Sequence, residues 1–311
     1  MKKLVFFTLL CQLFFVGVHS FADTGQAGLE IDVLKAGVGA RPLGMGSAFT
    51  AIADTADSPY WNPAGLSQIR QHEITTMQTK LSTDADHYYI SYVQPFLGGA
   101  IGVSWVQVGM GDIYETGTTT DEYNEVIPLG VFSYFSNAYM VAYGRELFPG
   151  FSFGLTAKYL QADMPGLVSA EGGSAHGHSI TPGVLWKPSN QLSLGFKIDE
   201  LANSQQWGTG TEEQVPPKYR LGISYLTQIM GYPLRLAGDY SQIAKDGYIG
   251  EAVLGAELKT DGISIRLGII DSAVTAGVGF TDNHVSVDYA YVNQMSLSRD
   301  NVHRISLTGR W

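Results

Sequence analysis

The C-terminal stretch His303-Arg304-Ile305-Ser306-Leu307-Thr308-Gly309-Arg310-Trp311 alternates without interruption. Ile305, Leu307, Gly309 and Trp311 fall on one face, and Arg304, Ser306, Thr308 and Arg310 on the other. A period of two is the mark of a β-strand whose two faces meet different surroundings. The pattern recurs. Val285, Val287, Tyr289 and Tyr291 oppose Ser286, Asp288 and Ala290. Ile263, Ile265, Leu267 and Ile269 oppose Ser264, Arg266 and Gly268. Tyr219, Leu221, Ile223 and Tyr225 oppose Arg220, Gly222 and Ser224.

Extended along the chain, the alternation predicts fourteen strands. They are expected near 72–81, 86–96, 99–109, 133–147, 150–162, 177–187, 191–200, 217–228, 232–243, 250–259, 262–271, 273–281, 283–293 and 302–311. The segment 127–135 is merged into its surroundings because a closed single-chain barrel takes an even count. Connections alternate in length. Tight turns fall at Phe148-Pro149-Gly150, Met230-Gly231, Thr260-Asp261 and Asp282. Longer segments run over 110–132, 163–176, 201–216, 244–249 and 294–301. Short turns at one end and longer loops at the other belong to an outer-membrane β-barrel.

A soluble β-sandwich also alternates, since it buries one face of each sheet. Three features favour the barrel. Fourteen strands exceed an ordinary sandwich. Their expected lengths suit a tilted membrane crossing. Phe96, Phe148, Trp186 and Trp311 stand at strand ends on the tight-turn side, where an aromatic belt belongs. The fold class expected is therefore all-β, a fourteen-stranded antiparallel transmembrane barrel. Arg220, Glu257, Arg266, Asp288, Arg304 and Arg310 then line its lumen, because charges facing lipid are costly.

Residues 1–22 read as a signal peptide. Lys2 and Lys3 precede an apolar core over 4–18 and the small-x-small site Ser20-Phe21-Ala22. The only cysteine, Cys11, leaves with it, so the mature chain has no thiol chemistry. Removing two lysines leaves 17 Lys+Arg against 29 Asp+Glu, a charge of about −12. Such a chain suits no nucleic acid. Glycine, at 37 of 311 residues, is well above the usual ~7%.

Residues 23–71 lie outside the alternation. GARPLGMGSAFTAIADTADSPYWNPAGL, over 39–66, carries closely spaced glycines, three prolines and one Trp. It is expected to form an N-terminal plug or hatch inside the barrel formed by 72–311. A periplasmic extension or an extra pair of short strands are the other readings. Gly39, Arg41, Gly44, Gly46, Trp61, Asn62, Pro63 and Ala64 are its candidate functional residues. Phe49, Tyr60 and Trp61 are candidates for an apolar wall.

This stretch resembles the N-terminal signature of the PorV/PorQ family of outer-membrane proteins. That family is distantly similar to long-chain fatty-acid transporters of the FadL type. The resemblance continues in VDYAYVNQ and in HRISLTGRW, and spans essentially the whole mature chain. It implies a fourteen-stranded barrel, with Asn62, Pro63 and Ala64 in a lumenal hatch. Trp311 stands where the family more often ends in Phe, an aromatic end that suits handling by the barrel assembly machinery.

Two functions follow. The first is passive transport of a hydrophobic or small amphipathic solute through a plugged lumen, across outer-membrane lipids. The second, implied by the PorV resemblance, is a non-enzymatic part in type IX protein secretion, with the loops at 110–132, 163–176 and 201–216 meeting secretion-system proteins. An enzyme is not expected. Gly-x-Ser-x-Gly, His-Glu-x-x-His and phosphate-loop motifs are absent. His176 and His178 in the third long loop are too few for a metal site on their own. No cofactor, metal or catalytic residue is expected.

Overall fold

The structure is a computed structural model that describes residues 32–81, 84–120, 124–168, 173–245, 250–270, 273–293 and 301–311. The signal peptide expected over 1–22 and the first residues of the expected plug lie outside these. Sixteen strands are present among them. The first seven are β1 (Glu73–Lys80), β2 (Asp86–Phe96), β3 (Gly99–Thr120), β4 (Val126–Phe148), β5 (Phe151–Asp163), β6 (Ser174–Trp186) and β7 (Leu192–Asp199). A short hairpin follows, β8 (Ala202–Trp207) and β9 (Glu212–Glu213). The rest are β10 (Lys218–Ile229), β11 (Tyr232–Ile243), β12 (Glu251–Lys259), β13 (Ile263–Ile270), β14 (Ala273–Thr281), β15 (Val285–Val292) and β16 (Val302–Arg310).

Fourteen of these make the wall. Each of β1 to β7 and β10 to β16 pairs antiparallel with its neighbours, β7 meets β10, and β16 returns to β1. The closed fourteen-stranded barrel read from the alternation is borne out. Closure leaves no open strand edge in the wall, as a hydrocarbon surrounding demands.

Two expected loops are strands instead. Most of 110–132 continues β3 and β4, which stay paired from Gly99↔Arg145 to Thr120↔Val126. Alternation fails to reveal this because β-bulges break the register between Met110 and Ile113 and again at Thr116. The loop at 201–216 carries β8 and β9. β6 pairs with β7 over Gly183–Trp186 and with β8 over Ala175–Ile180, so β8 prolongs the track of β7 after a break at Glu200, where φ is 58°.

The barrel is inverted relative to a water-soluble protein. On β13, Ser264, Arg266 and Gly268 are buried, while Ile265 is 52% and Leu267 58% exposed. On β16, Arg304, Ser306 and Thr308 are buried while Ile305 and Leu307 are exposed. In water, an apolar surface this continuous would cost about 25 cal/mol per Å². The outward face is that of a protein solvated by hydrocarbon.

Two rows bound that apolar band. At the tight-turn end stand Phe96, Phe148, Trp186 and Trp311, all exposed. Trp311 stacks on His72 at 5.6 Å, and Phe148 stacks on Phe151 at 4.6 Å. Towards the other end, register aligns Gln78, Tyr88, Gln107, Asn137, Gln161 and His176 on neighbouring strands. Gln107 Nε2 donates to Asn137 Oδ1 at 2.9 Å. β3 and β4 continue beyond this polar row.

Candidate functional site

The described residues before β1 run through the lumen. They form α1 (Asp32–Lys35), α2 (Ala40–Gly44), α3 (Ser58–Trp61) and a 3₁₀ turn (Pro63–Gln68). None of these elements is long, because glycine, proline and small residues interrupt them. Pro59 and Pro63 sit in the first turn of α3 and of the 3₁₀ turn, where the missing N–H costs no hydrogen bond. Asn62 caps the 3₁₀ turn, its Oδ1 accepting from Ala64 N at 3.1 Å. Its Nδ2 donates to Thr50 O at 2.8 Å and to Val184 O of β6 at 3.0 Å. One side chain thus ties two turns of the segment to the wall.

Inward-facing glycines let the barrel come this close. On β3 to β7, β10 and β12 to β14, a glycine lies against the segment between Gly44 and Leu66. A Cβ on Gly255 would lie 2.2 Å from Met45 O, and one on Gly268 would lie 2.1 Å from Gly46 N. Backbone therefore packs on backbone around most of the circumference. Gly44 meets Gly277 the same way, at 3.1 Å from the Cα. Gly46, with φ 64°, turns the chain beside Leu254 and Ile269.

Charge fixes the segment on the β12–β16 side. Arg41 Nε and Nη2 donate to the two oxygens of Glu257 at 2.8 and 2.9 Å, and Nη1 donates to Asp54 at 2.6 Å. Arg266 Nε shares Glu257 Oε1 at 2.8 Å, and its Nη1 forms an ion pair with Asp288 at 2.7 Å. Arg310 Nε meets Glu73 at 3.2 Å, and Glu73 in turn accepts Ala56 N at 3.0 Å. Arg304 Nη1 donates to Ala36 O at 2.6 Å and Gly37 O at 3.2 Å. Burial opposes charge on Asp54, but Arg41 and Arg235 outweigh it and hold this carboxyl well below the usual carboxylate range. Burial likewise opposes the Arg41 charge, and Asp54 and Glu257 more than restore it.

Below this cluster a cavity of about 480 Å³ lies between the segment and β12–β16. Arg41, Asp54, Asp57, Glu73 and Asp288 are among its walls, and turn residues Thr260, Gly262, Asp282 and Asn283 stand at the tight-turn end.

The rest of the lumen is divided by polarity. Against α1, Val38 and Trp61 stand the buried inward side chains Met77, Tyr89, Val106, Met140 and Leu160 of β1 to β5. Trp61 packs edge-on against Phe49 at 6.2 Å, and its Nε1 donates to Val38 O at 3.0 Å. On the other side, β5 to β11 present Lys158 paired with Glu200, Lys197 paired with Asp199, and Arg220 over the Trp61 ring at 5.8 Å. Asp239 Oδ2 accepts Phe49 N and Thr50 N at 3.2 and 3.0 Å.

All eight residues singled out in the N-terminal stretch thus lie together in the lumen. The six charged wall residues meet this segment or its partners. Sequence reading passed over Asp54, Glu73, Lys158, Lys197 and Asp239. Glu73, Lys158, Lys197 and Asp239 occupy inward strand positions and were open to the same parity argument. His176 and His178 fall within β6, not in a loop, and face outward at the polar row. Among the described residues no group of three or more His, Cys, Asp or Glu is placed to hold a metal ion.

No family model and no curated protein matches the chain. Solved structures of similar fold do. The toluene transporter TbuX of Ralstonia pickettii aligns with a TM-score of 0.65 at 13% identity, covering 88% of this chain and 98% of that one. The toluene transporter TodX of P. putida aligns at 0.61 and 12% identity, covering 88% and 99%. A Pseudomonas aeruginosa FadL homologue aligns at 0.55 and 13%, covering 88% and 98%. These likenesses correct the PorV/PorQ assignment: the fold the chain shares is that of FadL-type channels.

Proposed function

We propose that this chain is a passive channel of a Gram-negative outer membrane, carrying an apolar or small amphipathic solute through a lumen that residues 23–71 plug. The observation that carries this reading is the apolar wall of Met77, Tyr89, Val106, Met140 and Leu160 inside an otherwise polar lumen. The strip packs on α1, Val38 and Trp61 of the segment, and a shift of that segment would open it as the wall that an apolar solute needs. The likeness to two toluene transporters makes a monoaromatic hydrocarbon the first solute to try. Passage along such a wall requires no covalent chemistry.

In this reading Gly44 and Gly46 let the plug fit against the barrel, Gly39 leaves room for Asp57 within it, and Arg41 anchors it. Trp61 and Asn62-Pro63-Ala64 shape its lower turn. Arg220, Glu257, Arg266, Asp288, Arg304 and Arg310 serve first as its counter-charges. Residues 1–22 direct export, 72–311 form the barrel, and the aromatic row at the tight turns meets lipid.

The test is uptake of radiolabelled toluene by cells whose outer membrane retains lipopolysaccharide, which slows apolar solutes. Expression should raise the initial rate in a saturable manner. An uptake rate equal to that of cells expressing an unrelated barrel of similar size would end the proposal.

A further inference from the structure

Asp57 stands apart from the paired charges beside it. Arg41 is held by Asp54 and Glu257, Arg266 by Glu257 and Asp288, and Arg310 by Glu73. Asp57 forms no ion pair among the described residues. It precedes α3, yet its side chain does not cap that helix. The carboxyl turns back to lie flat on Gly39, where a Cβ would come within 2.7 Å of Oδ2. Thr55 Oγ1 donates to Oδ2 at 3.2 Å, and Oδ1 has no hydrogen-bond partner. The residue is 5% exposed. It therefore joins the start of α3 to the start of α2 through a contact that is favourable only for an uncharged group.

The groups acting on it come from every neighbouring element. Asp288 of β15 and Glu73 of β1 repel a negative charge there, Tyr89 of β2 brings only a phenol, and Arg41 of α2 and the Thr55 hydroxyl favour a charge. Burial is the largest influence and pushes the carboxyl up to about 7. The cavity of about 480 Å³ has Asp57 in its wall and turn residues at its far end.

We propose that Asp57 is a pH latch on the lumenal segment: protonated, it lets Gly39 and α3 close on each other, and ionised, it loosens residues 37–61 within an intact barrel. The sign follows from linkage. The carboxyl is raised from its ordinary 3.8 to about 7 in the closed state. The contribution of Asp57 to closure is therefore complete below about pH 4 and is lost as pH rises to about 7, where the effect levels off. Mild acid tightens the segment and neutral pH frees it. This inference concerns the segment alone and stands whatever solute the barrel carries.

Hydrogen–deuterium exchange of the full chain in lipid nanodiscs tests it, with labelling times scaled to the intrinsic exchange rate at each pH. Opening of residues 39–61 should rise between pH 5 and pH 7 by up to about tenfold per unit, while the amides of β13 do not change. Asp57→Asn keeps the shape and removes the charge, so its segment should stay equally protected from pH 5 to pH 7. A flat wild-type profile, or an unchanged slope in Asp57→Asn, would overturn the latch. Should Asp57→Asn fail to fold, difference infrared spectroscopy of the wild type decides. A protonated carboxyl band present at pH 6 and gone by pH 8 upholds the proposal, and its absence at pH 6 defeats it.

Discussion

Arg41 in the lumenal segment and Glu257 on β12, 216 residues apart in sequence, form a two-pronged pair with both bonds under 3 Å and both residues buried. Flat guanidinium against flat carboxylate fixes orientation as well as distance. Arg266 and Lys259 approach the same carboxylate, so Glu257 is the anion on which segment and wall converge.

Arg41→Ala should therefore destabilise the protein by about 3 kcal/mol, the usual cost of leaving a buried charge without a partner. Arg41→Lys should recover less than half, because an ammonium cannot make the fork. Urea unfolding of the three proteins in matched detergent measures this, and equal midpoints would show that the pair contributes nothing.

Side chains on the inward glycines should expel the segment. Gly255→Val places carbon where Met45 O lies 2.2 Å from the new Cβ and should cost about 1–3 kcal/mol or more, as overpacking does. Gly309→Ala is the control, since its Cβ meets only Ile74 Cγ2 at an ordinary 3.5 Å. If both variants resist protease cleavage between 44 and 63 as the wild type does, the close packing is not what holds the segment.

The outward face should reject charge. Leu267→Arg, in the middle of the apolar band, is expected to cost about 2–4 kcal/mol in bilayer refolding. Ile265→Phe, which keeps that surface apolar, should change it little. A tolerated arginine would place β13 away from hydrocarbon.

The apolar wall should govern uptake. Met140 is buried on β4 against the lumenal segment. Met140→Asp introduces a charge where solute would pass, at a cost of several kcal/mol, and should abolish toluene uptake while heat-modifiable gel migration still reports a folded barrel. Lys197→Met, on the polar side, should spare it. Undiminished uptake by Met140→Asp would place the path elsewhere.

Strong acid should release the segment by a second route. Asp54 lies below its ordinary 3.8 because Arg41 and Arg235 overcome the effect of burial. A depressed carboxyl stabilises above its ordinary value, and that stability is lost as pH falls below about 4. Protease sensitivity of residues 44–63 should thus rise below pH 4 in the wild type. In Asp54→Asn it should be higher throughout and lack that rise. An identical acid response in the variant would assign the transition to other carboxylates.

The sequence alone determined the wall. Period two in stretches such as Ile263–Ile269 set which side chains meet lipid, because successive residues of a strand point to opposite faces. Pro-Gly and Met-Gly pairs marked the turns, and parity alone placed Arg266 and Glu257 inside. Tertiary structure decided what a local pattern cannot carry. The bulges at Met110–Ile113 extend β3 and β4 where alternation lapses, since one extra residue reverses the faces that follow. The inward glycines are visible singly in the sequence, but their meeting with one segment depends on the stagger of all the strands. The pairing of Arg41 with Glu257, and the isolation of Asp57 among paired charges, exist only once closure brings the segment against β12 and β15. Strand parity is a property of neighbouring residues, whereas the site is made by residues that only closure brings together.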